Sequence, residues 1–380
     1  METELKNYLD SLVKRGMPSC DCAIWHNRRP VFRHMAGYAD SAGKKPVTDG
    51  QIYWIYSVTK LFTCTAVMQL IEKGSIGLDD PVCDYLPDYR NLTVKHGSSI
   101  KRAENTMTIR HLLSMQSGLN YNLNAPSIQR VLQETDGQAT TSQVVEALAE
   151  EPLDFEPGTH YQYSLSHDVL GAVIEVVTGR RFGKYLDDKI FRPLGMKHTG
   201  FTLTPNRKAK LADQFRYDTQ QKISTRIPPF NHFVPSRRYE SGGAGLISTA
   251  DDIMLFLDAL SNGGTGRDGY RILAPESIDR MRTDQLNDVS RKDFARFGKI
   301  GYGYGLGVRT LVDKEKSGSE SPLGEFGWGG AAGAYALVDP ENHLAIYYAQ
   351  HVLGCEFVYR EVQPRIRDLA YRMLTASYEL

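Results

Sequence analysis

The sequence predicts an α+β fold: an antiparallel β-sheet flanked by N- and C-terminal helices, with a mostly helical inserted domain. Three observations predict it. Residues 1–15 put Leu5, Leu9, Leu12 and Val13 on one side of a helix, and strand-like alternation follows them. From Asp79 to about Ser236 the apolar period is helical and broken by long loops. After about residue 300 the period changes to two, and a final helical pattern runs from about Glu361 to Ser377. Strand patterns at both ends of a helical middle form one sheet if the ends meet. The expected division is therefore a discontinuous sheet domain, 1–80 with 237–380, and a mostly helical domain, 81–236.

Asp21 to Ala36 alternates apolar and polar residues, which predicts a hairpin turning near Asn27 to Pro30. Asp40 to Asp49 is a polar loop. Val58 to Lys73 is the clearest helix: Leu61, Thr65, Met68, Leu70 and Ile71 make an apolar face, and Gly74 suits its C-terminal end. Ser57 stands where an N-cap is expected, and serine is favoured there in any case. Thr108 to Met115, Ser142 to Glu151, Ser166 to Thr178 (ended by Gly179) and Ala250 to Asn262 (started by Thr249, stopped by Gly263-Gly264) are further predicted helices. Tyr302 to Thr310, Ala334 to Asp339 and His343 to Ala349 are predicted strands, with Pro340-Glu341-Asn342 as one hairpin loop.

Composition excludes several functions. The 380 residues are 41% apolar and 24% charged, which is ordinary globular usage and enough for a sizeable core. Forty-five basic residues balance forty-five acidic ones, and no basic cluster interleaved with aromatics is visible, so no nucleic-acid partner is expected. No run is long enough to span a membrane, and the acidic start Met1-Glu2-Thr3-Glu4 has no apolar signal core, so a soluble cytoplasmic protein is expected. The five cysteines, Cys20, Cys22, Cys64, Cys83 and Cys355, are odd in number and irregularly spaced. They argue against a disulfide framework and are read as small buried thiols; Cys20-Asp21-Cys22 is too little for zinc. No metal and no cofactor is expected.

Tyr56-Ser57-Val58-Thr59-Lys60 contains Ser-x-x-Lys. On a helix, positions i and i+3 share a face, so the Lys60 ammonium can reach the Ser57 hydroxyl. A serine hydroxyl is a poor nucleophile until a base removes its proton, and a lysine can remove it only if burial or neighbouring positive charge lowers its pKa. The bland alternative is a capping serine beside a solvated lysine. The apolar flanks Ile52-Tyr53-Trp54-Ile55 and Leu61-Phe62 argue against a solvated Lys60. No Gly-x-Ser-x-Gly elbow and no His-Glu-x-x-His occurs, which removes the usual α/β-hydrolase and zincin readings. Ser117 has no adjacent base, and His167 and Asp168 are read as structural.

Ser57-Val58-Thr59-Lys60, Met107 to Leu119 (with Thr108-Ile109-Arg110-His111-Leu112-Leu113 and Ser117-Gly118-Leu119), Pro157-Gly158-Thr159 followed by Tyr163-Ser164-Leu165, and Gly242 to Asp252 occur in this order. Together they resemble the β-lactamase-related serine hydrolases, which include class C β-lactamases, DD-peptidases, and esterases and transesterases. The likeness covers nearly the whole chain. It implies that Tyr163 is the second-motif tyrosine, a general acid/base relaying the Ser57 proton with Lys60; Tyr161, two residues away, matches the motif less well. It also implies an oxyanion hole from the backbone N–H groups of Ser57 and Ala331.

The third motif departs from the peptidases. Where they carry Lys-Thr-Gly, this chain has Trp328-Gly329-Gly330, as the family's esterases and lovastatin-type acyltransferases do. A lysine there offers a cation to a substrate carboxylate, whereas a tryptophan offers a stacking wall. Leu165 stands where β-lactamases have an amide-binding asparagine. Trp328, Gly329, Gly330 and Leu165 are therefore expected to contact substrate. The expected function is a serine carboxylesterase or acyltransferase on small-molecule esters, through an acyl-enzyme on Ser57. A D-amino-acid peptidase or weak β-lactamase, and a catalytically silent scaffold, are the alternatives. A homo-oligomer is possible. The loops Asn120 to Gln138 and Pro228 to Glu240 are expected to shape the pocket.

Overall fold

In the computed structural model, which describes residues 2–378, the two ends of the chain meet in one seven-stranded sheet. Its strands in chain order are β1 (Ser19–His26), β2 (Arg29–Gly37), β3 (Tyr302–Tyr304), β4 (Arg309–Leu311), β5 (Phe326–Gly329), β6 (Tyr335–Asp339) and β7 (Leu344–Ala349). The spatial order is β2-β1-β7-β6-β5-β4-β3, and each neighbouring pair is antiparallel. The β1–β2 turn is Asn27-Arg28, both with positive φ (50° and 64°), as a two-residue type I′ turn requires. Pro30 lies inside β2 opposite Trp25, at a register shift in an edge strand, where a missing N–H is tolerated.

Alternation along the strands buries both faces. Cys22, Ile24, Leu337, Ile346 and Tyr348 join one cluster with Leu5, Leu9 and Leu12 of the N-terminal helix α1 (Glu2–Lys14) and with Ile366 and Leu369 of the C-terminal helix. Ala23, Ala336, Val338, Ala345 and Tyr347 face the other way, into the large core shared with the helical layer. At the centre of that core lies α2 (Thr59–Glu72), buried from Thr59 through Leu70. The sequence suggested a single apolar face; the helix is enclosed on all sides because sheet and helical layer cover it from opposite directions. Its polar side chains are satisfied locally: Thr65 donates to the Leu61 carbonyl at 2.8 Å, and Thr63 to that of Gly242 at 2.7 Å. Burying Leu61, Phe62 and Met68 stabilises the fold by about 1.5–3 kcal/mol each.

The middle of the chain carries α3 (Ser166–Thr178), closed by left-handed Gly179, and shorter helices at Ile109–Leu113, Pro126–Glu134 and Thr141–Leu148. It also carries two hairpins that the helical reading misses. One is Thr93–His96 with Ser99–Arg102; the other is Gln214–Asp218 with Ile223–Ile227. Gln214–Asp218 pairs in parallel with Val352–Leu353, and Phe215 enters the cluster beneath the terminal helices. Both hairpins keep many exposed residues, so no clean two-residue period marks them.

The second half of the core comes from α4 (Ala250–Ser261), capped by the Thr249 side chain and packed on β7, β1 and β6. The C-terminal helix is α5 (Gln363–Tyr378). Tyr302 to Thr310, expected as one strand, is the β3–β4 hairpin: Gly305 N–H donates to the Val308 carbonyl at 2.8 Å, and Gly307 turns with φ 84°. A Cβ on Gly307 would collide with the Cys64 sulfur, so the turn is pressed onto α2. No helix among the described residues is long and apolar enough to cross a membrane. All five cysteines are free; Cys20, Cys22, Cys64 and Cys355 are buried and Cys83 partly so.

Candidate active site

Ser57 is not an N-cap. It is the middle residue of a 3₁₀ turn, Tyr56–Val58, and α2 begins after it with Val58 in the cap position. Tyr56 has φ 48°, a left-handed conformation that an L-tyrosine adopts only when its surroundings impose it. Those surroundings are visible: the fully buried ring meets Phe233 edge-on at 5.9 Å and His351 at 6.5 Å, and its hydroxyl accepts from the Gln214 side chain. The turn is thus held by the 214–227 hairpin, by Phe233 and by His351, two residues past β7. The Ile55 N–H donates to the Leu246 carbonyl at 3.1 Å, tying the same turn to the Gly242–Leu246 segment.

Lys60, one helical turn on, has no solvent exposure. Its ammonium donates to Ser57 Oγ at 3.3 Å and to the Gly243 carbonyl at 2.8 Å. It lies 4.5 Å from the centre of the Tyr163 ring and 5.4 Å from that of Tyr121. No carboxylate among the described residues forms an ion pair with it. Asp168 on α3 does feel its charge. Burial raises the Asp168 carboxyl, while hydrogen bonds from Ser241, the Lys60 charge, and hydrogen bonds from Tyr239 and the Gly243 N–H pull it back. Neighbouring His167 is kept neutral by burial and by Lys60, and meets Cys64 Sγ at 3.1 Å. Both residues therefore support the α2 environment, as read from the sequence.

Tyr163 lines the cavity that opens on Ser57. Among the described residues its hydroxyl is hydrogen-bonded to Trp328, whose indole N–H donates to it at 3.1 Å; it forms no hydrogen bond with Ser57. The two rings are stacked at 5.6 Å. Trp328 thus does more than the apolar wall expected of it, because its indole N–H also holds the phenol oxygen in place. Tyr161 points elsewhere, into a buried cluster with Phe294 and Tyr304.

Gly329, Gly330 and Ala331 also line the cavity. A Cβ on Gly330 would run into the Ile55 carbonyl, so glycine is what lets the end of β5 lie against the Ser57 turn. The Tyr359 hydroxyl bonds to both the Gly330 and Ala331 carbonyls, at 2.9 and 2.8 Å, and holds this backbone from behind. Leu165 is a correction. It is 1% exposed, part of the large core at the start of α3, and does not line the cavity; its N–H donates to the Asn120 carbonyl at 3.1 Å. Its apolar side chain serves packing.

Several residues of the site escaped the sequence reading. Tyr121 stacks on Tyr163 at 5.6 Å and, together with Phe233, brings the two suspected loops to the cavity. Burial, then Asp168 and Tyr163, hold the Tyr121 phenol well above its ordinary range, so it stays protonated. Phe297, from a segment given no role, stacks on Tyr163 at 5.6 Å and lies parallel to Trp328 at 6.4 Å. An aromatic residue within a loop carries no signal of which wall it joins.

The Beta-lactamase family model matches residues 5–370. The chain belongs to the beta-lactamase family. Esterase EstB from Burkholderia gladioli, a similar protein, is 33% identical over 360 residues, covering 88% of this chain and 86% of EstB. A putative D-alanyl-D-alanine carboxypeptidase from Escherichia coli (strain K12) is 27% identical over 374 residues, covering 90% and 80%. The solved structure of EstCE1, described as a hydrolase with promiscuous acyltransferase activity, superimposes with a TM-score of 0.80 at 26% identity, covering 97% of this chain and 98% of that one. As a beta-lactamase-family member with such relatives, the chain is a serine hydrolase, and its α+β architecture is that of the family.

Proposed function

We propose that this serine hydrolase is a carboxylesterase or acyltransferase for small esters, with Ser57 as nucleophile, Lys60 as its cationic partner and Tyr163 as general acid/base. The observation that carries the reading is the solvent-free Lys60 ammonium, 3.3 Å from Ser57 Oγ and 4.5 Å from the Tyr163 ring centre. A buried cation there favours the Tyr163 phenolate that accepts the proton, and the negative charge that develops on Ser57 Oγ as the proton leaves. Ser57 Oγ attacks the acyl carbon, and the N–H groups of Ser57 and Ala331 take the developing oxyanion. The Ser57 proton passes to the Tyr163/Lys60 pair and from there to the departing alcohol. Water or a second alcohol, deprotonated by the same pair, then releases the acyl group and restores Ser57.

Trp328 in place of a third-motif lysine favours esters over peptides and β-lactams. The free cysteines support a reducing, cytoplasmic setting. The test is mass spectrometry of the chain after brief exposure to an activated aryl butyrate. The expected result is a burst of phenol and one acyl adduct on Ser57, both lost in Ser57→Ala. Turnover retained in that variant overturns the nucleophile. Cephalosporin or D-alanyl peptide turnover equal to ester turnover overturns the ester preference. Failure of a serine-reactive phosphonate to label Ser57 returns the chain to a silent scaffold.

A further inference from the structure

The cavity that opens on Ser57 encloses about 870 Å³, far more than a short ester fills, and its lining goes beyond the aromatic residues. Its lining includes Lys299, Arg309 and Arg367, with Tyr302 and Tyr335 between them. Arg309 is 4% exposed and donates to both Glu325 oxygens at 2.9 Å and to the Tyr335 hydroxyl at 3.0 Å. Arg367 donates to Asp368 at 2.7 Å and to the Tyr302 hydroxyl at 2.8 Å. Each arginine therefore has a carboxylate of its own.

Lys299 has none. Among the described residues its ammonium makes no ion pair and no hydrogen bond. Partial burial, with the Arg309 charge adding to it and Glu325 opposing, pushes it down to about 8, so it remains mostly charged near neutral pH. Arg296, Arg309, Lys316, Arg360 and Arg367 of the lining each lie in a salt bridge and Lys299 does not, which leaves its positive charge without a paired carboxylate. Lys299 also lies two residues past Phe297, the ring stacked on Tyr163 and parallel to Trp328. One short segment thus supplies both part of the aromatic wall and the unpaired charge.

We propose that this end of the cavity is an anion subsite centred on Lys299. It selects esters that carry a carboxylate, joined to the reacting ester group by an apolar spacer that crosses the Phe297/Trp328 wall. The cation missing from the third motif is supplied from another segment, further from the nucleophile. The proposal rests on the Ser57 esterase reading and adds a substrate class to it. A carboxylate on a flexible spacer gains a charge-assisted contact with an ammonium that otherwise has no anionic partner.

Two pairs of esters test it and tell the two placements of the carboxylate apart. In the first pair the charge is on the acyl side: the mono-aryl ester of a dicarboxylic acid against its neutral methyl diester. In the second it is on the alcohol side: a butyrate ester of a hydroxybenzoate against that of its methyl ester. The expected result is a kcat/KM at least about tenfold higher for the anionic member of one pair, expressed in KM and weakened by salt. In Lys299→Met that preference falls toward one; Lys299→Arg keeps it. Absence of a preference in both pairs overturns the subsite, as does a Lys299→Met effect equal on anionic and neutral members. If the neutral esters do not acylate Ser57 at all, the esterase reading fails, and this one with it.

Discussion

The indole N–H of Trp328 donates to the Tyr163 hydroxyl oxygen at 3.1 Å while the two rings stack at 26°. One residue therefore fixes the position of the phenol and donates to the oxygen that carries the proton in the proposed mechanism. Trp328→Phe keeps the ring and deletes the donor. We expect kcat on an activated ester to fall about tenfold with KM nearly unchanged, because the lost interaction matters when the phenolate forms. Steady-state kinetics checks this; a rise in KM alone would assign Trp328 to substrate stacking only.

Gly330, the residue after β5, lies against the Ile55 carbonyl at the Ser57 turn. Gly330→Ala forces a Cβ into the Ile55 carbonyl, which cannot yield without moving Tyr56 and Ser57. The Ala331 N–H proposed for the oxyanion hole is displaced, and kcat is expected to fall about 100-fold, as for loss of one oxyanion donor. A far-UV spectrum unchanged from the parent separates this from unfolding.

Leu165 is in the core, so restoring the asparagine of β-lactamases does not restore their chemistry. Leu165→Asn leaves an amide buried without partners at a site 1% exposed and is expected to destabilise the fold by about 2–4 kcal/mol. Denaturant unfolding measures the loss. Cephalosporin turnover is expected to stay at background.

His351 makes stability pH-dependent. Its ring lies 5.6 Å from Trp54 and 6.5 Å from Tyr56, and Nδ1 meets the Ala212 carbonyl at 3.0 Å. Burial lowers it to about 4, against hydrogen bonds to Ala212 and Asp213 that oppose the shift. In the unfolded chain it titrates near 6.5, so between those values the unfolded state binds more protons. Its contribution is complete above pH 6.5 and is lost as pH falls toward 4, up to about 3 kcal/mol. Buried Asp21, pushed up to about 7 by desolvation despite Arg33, has the opposite slope. The measurement is therefore a difference: the stability gap between the parent and His351→Gln narrows from pH 7 to pH 4.5.

Much of the architecture is determined by local patterning. The terminal helices, the β1–β2 hairpin, α3 with Gly179, and α4 with its Thr249 cap need only period, cap and turn chemistry, and each forms where those signals lie. Ser57 and Lys60 were legible for the same reason: they are three residues apart on one helix. The 214–227 hairpin was not, because it is held by parallel pairing with Val352–Leu353, more than a hundred residues away.

The sequence by itself determined the family, the proposed nucleophile and the order of the elements, since these reside in short ordered motifs. Only the tertiary structure decided what surrounds the nucleophile. Tyr56 is left-handed because Gln214, Phe233 and His351 enclose it; Tyr163 meets Trp328 rather than Ser57; Leu165 turns into the core. Lys299, far from every motif, comes to line the same cavity as Ser57. Contacts across so many residues are set by how sheet and helices close on one another, and no local spacing encodes that.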